Sequence, residues 1–221
     1  MTIVDDDNRD YDSRAFTIGL SGGATSGARP TLLALCRLLR TSYGIAIVTG
    51  EVPPPQDGGK AFLMRHKALP AERISVVPTG GSVHAEFDLL MEAFRPDLLF
   101  VESAGGDTVS SHEVADFTIH VVDADADGIR PEESDDAAHA DLLVINRTHP
   151  GPPLDVSLNP VAQDAARLRG DAPVVFAQVR YSVGVIDIAK HVLVGWRQAT
   201  APAAWTPSSV PGERRDGWMT T

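Results

Sequence analysis

The chain of 221 residues contains one cysteine, Cys36. A single thiol excludes an internal disulfide and any zinc site built from a cysteine cluster within one chain. Cys36 lies in the apolar stretch "TLLALCRLL", where it reads as a small buried hydrophobe in a helix rather than as a reactive thiol. Long apolar runs are missing as well. None approaches the ~20 residues of a membrane span, and the start "MTIVDDDNRDYDSR" is acidic, unlike a secretory signal. Positive charge is in short supply: 19 Lys and Arg stand against 30 Asp and Glu, a formal net charge of −11. That balance argues against nucleic-acid binding and fits a soluble, cytoplasmic protein.

What is present is the pattern of one α/β domain, and a length near 200 residues accommodates little more. Short runs rich in branched apolar residues alternate with helical segments. "AFTIGL", "GIAIVTG", "RISVVPTGG", "DLLFVES", "FTIHVVDAD", "DLLVINRT" and "APVVFAQV" read as strands. "PTLLALCRLLRTS", "HAEFDLLMEAF", "NPVAQDAARLRG" and the segment from Val185 to Trp196 read as helices. Strands this apolar, interleaved with helices, predict a doubly wound, mostly parallel sheet covered on both faces. The domain is expected over residues 15–197, between a flexible N-terminus (1–14) and a Pro-, Ser- and Thr-rich tail (198–221) with no hydrophobic period. Trp205 and Trp218 in that tail read either as partner anchors or as incidental aromatics.

Between the first strand and the first helix lies "LSGGATSGARPTLL". A phosphate-binding loop follows the pattern G-x-x-x-x-G-K-[ST]: backbone N–H groups wrap the phosphates, the Lys neutralises them and the hydroxyl ligates Mg²⁺. Gly22, Gly23, Ala24, Thr25, Ser26 and Gly27 supply such a loop in the right strand-to-helix context, and Pro30 suits the first helical turn. The two chemical residues are replaced. Ala28 stands in the Lys position and Arg29 in the Ser/Thr position. Arg29 either neutralises phosphate from a displaced position or turns to solvent or a carboxylate.

Further segments, in order, make the chain resemble the urease accessory GTPase family (UreG-like), nickel metallochaperones of the P-loop class. They are "SGGATSG", "LPAERISVVPTGGSVH", "DLLFVESAGGD", "ADFTIHVVD", "DLLVINRT" and "LRGDAPVVF". The resemblance covers Phe16 to Leu193 and implies the P-loop NTPase fold of the metallochaperone GTPase type. It also implies GTP, Mg²⁺ and Ni²⁺ as cofactors, a homodimer, and partners among the other urease accessory proteins and urease itself.

Carried over residue by residue, the resemblance meets altered positions. The family's Asn-Asp switch pair falls on Gly50 and Glu51, followed by Pro53 to Pro55. Its nickel motif Cys-Pro-His becomes Ser82-Val83-His84; without the thiolate, Ni²⁺ loses its soft ligand. His84 is therefore either a weak metal ligand or a surface residue at a helix start. Glu102 either holds Mg²⁺ through water or, with Asp107, caps the loop. The guanine-reading Asn-Lys-x-Asp becomes Asn146-Arg147-Thr148-His149: Asn146 can hold the loop, whereas His149 cannot offer guanine a bidentate carboxylate. The family's basic glycine-rich segment is now the acidic "DGIRPEESDDAAHA", matched only at Arg130 and Pro131, and reads as a solvated linker.

Three functions compete on these residues. The first is a UreG-like accessory protein that assists nickel metallocentre assembly through protein partners, with little or no GTP hydrolysis. The second is an NTPase with a rearranged loop using Arg29. The third is a small-anion or phosphate binder that reuses the glycine loop.

Overall fold

A computed structural model describes residues 14–50, 58–103, 114–149 and 159–201. Seven strands form one sheet in the order β3-β2-β4-β1-β5-β6-β7, with every pairing parallel. They are β1 (Phe16–Gly22), β2 (Ile45–Gly50), β3 (Ile74–Val77), β4 (Leu98–Glu102), β5 (Phe117–Asp123), β6 (Leu142–Asn146) and β7 (Val174–Ala177). All seven strands expected from the apolar runs are present. Six α-helices accompany them among the described residues: α1 (Ala28–Leu39), α2 (Gly59–Arg65), α3 (Val83–Phe94), α4 (Ser134–His139), α5 (Pro160–Arg169) and α6 (Val185–Thr200).

The strands are apolar on both faces because helices cover both. On one face α1, α2 and α6 bury Ile18, Leu20, Ile47, Phe100, Ile119 and Val144. On the other, α3 covers Ala46, Val48, Leu99 and Val101, and α4 with α5 covers Val122, Leu143 and Ile145. Helix α1 buries Leu32, Leu35, Cys36 and Leu39 at helical spacing. Helix α5 opens on a side-chain cap: the Ala162 N–H donates to Asn159 Oδ1 at 3.0 Å, and Pro160 occupies a first-turn position that needs no donor.

Helices α2 and α4 were not legible as helices. Segment 127–140, read as a solvated linker, instead folds as a tight 3-10 turn (Pro131–Glu133) followed by α4. The helix is short and polar, so it carries no amphipathic period. Ala137 is its one buried residue, and its last turn is held from outside by Arg169. That guanidinium donates from Nη1 to the Ala137 carbonyl at 2.6 Å and from Nη2 to the Pro173 carbonyl at 3.0 Å. Burial lowers the Arg169 pKa, and the Asp141 carboxylate opposes that shift. Glu51, Pro53 to Pro55, Asp107, Trp205 and Trp218 lie outside the described residues, as do residues 1–13 and 202–221.

β1 sits between β4 and β5 in the sheet. Leu20 pairs with Glu102 of β4 and Gly22 with Val121 of β5. The chain thus leaves the carboxyl ends of three adjacent strands at one place, the crevice where doubly wound sheets bind ligands.

Burial pushes the Cys36 thiol from its ordinary 9.0 up to about 12. Above pH 9 only the unfolded chain ionises this thiol, so its contribution to stability is complete below that pH and is lost as pH rises toward 12. A thiol reagent such as 5,5′-dithiobis(2-nitrobenzoate) at pH 8 is expected to label Cys36 no faster than the chain unfolds; rapid labelling of the native protein contradicts this burial.

Candidate functional site

The glycine loop runs from the end of β1 into α1. Gly27 has φ +85°, in the left-handed region, and a Cβ there would also meet Asn146 Nδ2, so only glycine fits without strain. The loop is folded onto itself. The Ser26 N–H and Oγ both donate to the Gly23 carbonyl, at 3.0 and 2.8 Å, and the Ala28 N–H donates to Ser26 Oγ at 3.3 Å. Two backbone donors that could turn toward a phosphate are thereby engaged inside the loop.

Asn146, at the end of β6, ties this loop down. Its Nδ2 donates to the Ser26 carbonyl at 2.9 Å, and its Oδ1 accepts from the Val179 N–H at 3.1 Å. Asn146 is buried, so it acts as a strut between the glycine loop and the β7–α6 connection.

Ala28 offers no charge. Arg29 does, but its guanidinium is committed: Nε donates to Glu102 Oε1 at 2.5 Å. Glu102 is 2% exposed, and its second oxygen, Oε2, accepts from Thr49 Oγ1 at 2.8 Å. A Cβ on Gly59, the first residue of α2, would overlap both Thr49 Oγ1 and Glu102 Oε2, so α2 closes over the pair from that side.

Two more arginines border the loop. Arg130 lies against Gly23, where a Cβ would collide with its Nη2. Its Nε and Nη2 donate to Glu133 Oε2 and Oε1 at 3.1 and 2.6 Å, and the bonded carboxylate raises its pKa. Arg147 Nε donates to Asp125 Oδ1 at 3.1 Å, and His149 Nδ1 stands 3.8 Å from the other Asp125 oxygen. Each arginine around the glycine loop is matched to a carboxylate. A cavity of about 250 Å³ opens over Gly23, Thr25 and Ser26, and its far wall includes Asp123, Asp125, Arg130 and Glu133. Arg130 is paired with Glu133 and Arg147 with Asp125, so neither guanidinium offers this cavity an uncompensated positive charge for a polyphosphate.

A second, larger groove of about 760 Å³ runs between α1, α2 and the start of α6. Asn146 and Thr148 form one end of it, and Leu33, Phe62, Val185 and Ile186 supply apolar wall. Arg37, His66 and Arg180 are its ionisable lining residues. The end of β6 therefore opens on an apolar surface able to take an aromatic or aliphatic group.

No protein-family model matches the chain. Solved structures do. HypB from Helicobacter pylori in complex with nickel matches with a TM-score of 0.64 at 15% identity, covering 90% of this chain and 95% of that one. The hydrogenase maturation factor HypB from Archaeoglobus fulgidus matches at 0.59 with 14% identity, covering 84% and 92%. A LAO/AO transport system kinase matches at 0.57 with 23% identity over 84% of this chain. This chain spans 60% of that kinase's length. The chain has the P-loop NTPase fold. At these identities the likeness establishes the fold, and the chemistry rests on the residues.

Tested against the groups that this fold carries elsewhere, the residues fit poorly. A Mg²⁺ ion needs about 2.0–2.1 Å to each oxygen ligand, and with Arg29 Nε 2.5 Å from Glu102 Oε1 no ion fits between residue 29 and the carboxylate. His149 is exposed and turned toward Asp125. His84, the candidate nickel ligand, is exposed at the start of α3 with its ring 6.0 Å from that of Phe87, across the sheet from α1. Among the described residues no group of three or more His, Cys, Asp or Glu side chains could hold a metal ion. No helix among them is long and apolar enough to cross a membrane.

The structure thus brings Gly22 to Gly27, Ala28, Arg29, Glu102 and Asn146 to one place, sets Arg147 and His149 at its rim, and leaves His84 elsewhere. Sequence reasoning missed Thr49, Gly59, Asp125 and Glu133. Nothing in their local sequence marks them; they matter only through strands and loops that are distant along the chain.

Removing the arginine alone strands a buried carboxylate, a change that costs about 2–3 kcal/mol for a partly exposed partner. Urea unfolding of Arg29→Ala is expected to show a loss of that size. The double variant Arg29→Met/Glu102→Gln is expected to recover most of it; equal stabilities for all three proteins would mean that the pair contributes nothing.

Proposed function

We propose that this chain is an accessory protein of nickel metallocentre assembly, of the urease type, working through protein partners and not through GTP hydrolysis. Its partners on this reading are the other urease accessory proteins, urease itself and a second copy of the chain, in the cytoplasm. The observation that carries the reading is the Arg29–Glu102 pair at the loop: the chain's own cation sits against the carboxylate that a nucleotide-bound metal would need. The ordered motif resemblance supports the urease branch. The fold shared with two HypB proteins, one of them in complex with nickel, supports metallocentre assembly as the setting.

Hydrolysis would need charge stabilisation worth several kcal/mol at the transferring phosphoryl group. Ala28 cannot provide it, and Arg29 could do so only by leaving Glu102 buried and unpaired. The small-anion reading has one observation in its favour, the placement of the Arg130 guanidinium directly on Gly23, although Glu133 already occupies that guanidinium.

The experiment is a calorimetric titration of the purified chain with GTP, GDP and ATP, with and without Mg²⁺, alongside turnover and pull-downs with purified urease accessory proteins. The expected result is no Mg²⁺-dependent, guanine-selective heat, background turnover and a specific complex with at least one accessory protein. Guanine-selective binding that needs Mg²⁺ would restore the GTPase reading. Binding of inorganic phosphate alone would favour the anion binder, and failure to form any accessory complex would remove the urease role.

A further inference from the structure

The cations of the groove between α1, α2 and α6 differ from those of the glycine loop. Each loop arginine holds a carboxylate, whereas among the described residues Arg37 and Arg180, which line the groove, hold none. Arg37 donates from Nη2 to the His66 carbonyl at 2.7 Å, which leaves its charge uncompensated. The surrounding sequence supplies no acid. Residues 28–50 and 58–70 carry Arg37, Arg40, Lys60, Arg65 and Lys67 but no Asp or Glu, in a chain with 30 acidic residues. Asp187, in the first turn of α6, is bonded to Lys190 at 2.8 Å. Beside these charges lie apolar side chains in water: Leu38 is 42% and Ile186 60% exposed, and both line the groove. Apolar surface rimmed by unpaired charge fits a segment of opposite charge that carries apolar residues of its own.

The chain itself supplies such a segment. Residues 1–13, "MTIVDDDNRDYDS", place Ile3 and Val4 beside Asp5, Asp6 and Asp7, with Asp10 and Asp12 following and Arg9 as the single basic side chain. They join the described residues close to the groove. Phe16, at the start of β1, lies against Gly195 of α6. Tyr43, just past α1, packs edge-on against Trp196 of α6 with ring centroids 5.2 Å apart. The segment is therefore attached at the foot of the seam between two of the helices that wall the groove. In extended form residues 1–13 reach about 45 Å at most, against about 18 Å for the length of α1. The other end of the chain, residues 202–221, balances Glu213 and Asp216 with Arg214 and Arg215, so it lacks the charge that this groove calls for.

We propose that the groove is a docking surface for an acidic amphipathic segment, and that its occupant is residues 1–13 of the same chain, with Ile3 and Val4 on the apolar wall and Asp5 to Asp7 opposite Arg37 and Arg180. Docking takes the exposed area of Leu38 and Ile186 out of water and gives both arginines a counter-charge. Surface ion pairs contribute little individually, so the apolar contact supplies the hold and the charges decide which segment is taken. The inference does not rest on the accessory role.

The test uses the full chain with Thr2→Cys carrying a nitroxide, read by paramagnetic broadening of methyl signals. Cys36 is buried, so the added thiol takes the label. The expected result is broadening at Leu38 and Ile186 but not at Leu168 of α5, on the opposite face of the sheet. Asp5→Lys/Asp6→Lys/Asp7→Lys is expected to remove the broadening, and adding Arg37→Glu/Arg180→Glu to restore it. Arg37 and Arg180 are exposed, so these changes leave the core intact. Broadening that is absent, that survives the Lys changes or that the Glu changes fail to restore overturns the proposal. Isotope-labelled chain without nitroxide is also mixed with nitroxide-bearing chain without isotope. Broadening in that mixture assigns the groove to a second copy and overturns the proposal, whereas its absence there supports docking within one chain. None of these readouts involves nucleotide or a partner protein, so failure of the urease role leaves this test standing.

Discussion

The position of β1 between β4 and β5 is the constraint on which the site depends. A parallel sheet delivers every strand's carboxyl end to the same edge, and the register of Leu20 with Glu102 and of Gly22 with Val121 fixes which ends meet. Because both sheet faces are sealed by helices, the side chains at that edge are the ones left to face a crevice. Glu102 is the last residue of β4, Thr49 the penultimate residue of β2 and Asn146 the last of β6. Each is buried, so each must find a polar partner nearby. They find one another's neighbours: Glu102 takes Arg29 and Thr49, and Asn146 takes Ser26 and Val179.

The electrostatics of this crevice differ from those of an anion cradle. A polyphosphate site works when donors and cations converge on a space that holds no counter-charge of its own. Around this loop the counter-charges are built in, with Arg29 on Glu102, Arg130 on Glu133 and Arg147 on Asp125. Two loop amides are also spent inside the loop. The result is a loop that keeps its shape without a ligand, with Asn146 as strut and Gly27 as the left-handed residue that starts α1.

The strands were legible because burial on both faces leaves a run of branched apolar residues whatever the rest of the chain does. "DLLFVES" and "DLLVINRT" need no context to be read as buried strands. Helices α1, α3, α5 and α6 were legible from apolar period or from punctuation such as Asn159-Pro160. Helix α4 was not, because it packs through one alanine and is held by Arg169, which belongs to α5. The acidic segment before β6 keeps most of its charges exposed, as expected, but it is folded, and Arg130 and Glu133 also line the cavity over the glycine loop.

The sequence by itself determined the doubly wound architecture and the place of the glycine loop, with Ala28 and Arg29 directly after it, because these are properties of residue type, order and spacing. It also left Arg29 with three destinations, phosphate, solvent or a carboxylate. Only the tertiary structure decided between them. The choice turns on Glu102 being 73 positions away in the chain and a hydrogen bond away in space, with Thr49 and Gly59 closing the other side of the carboxylate. A buried negative charge selects the nearest permanent cation, and which cation is nearest is settled by strand order, which no local pattern encodes.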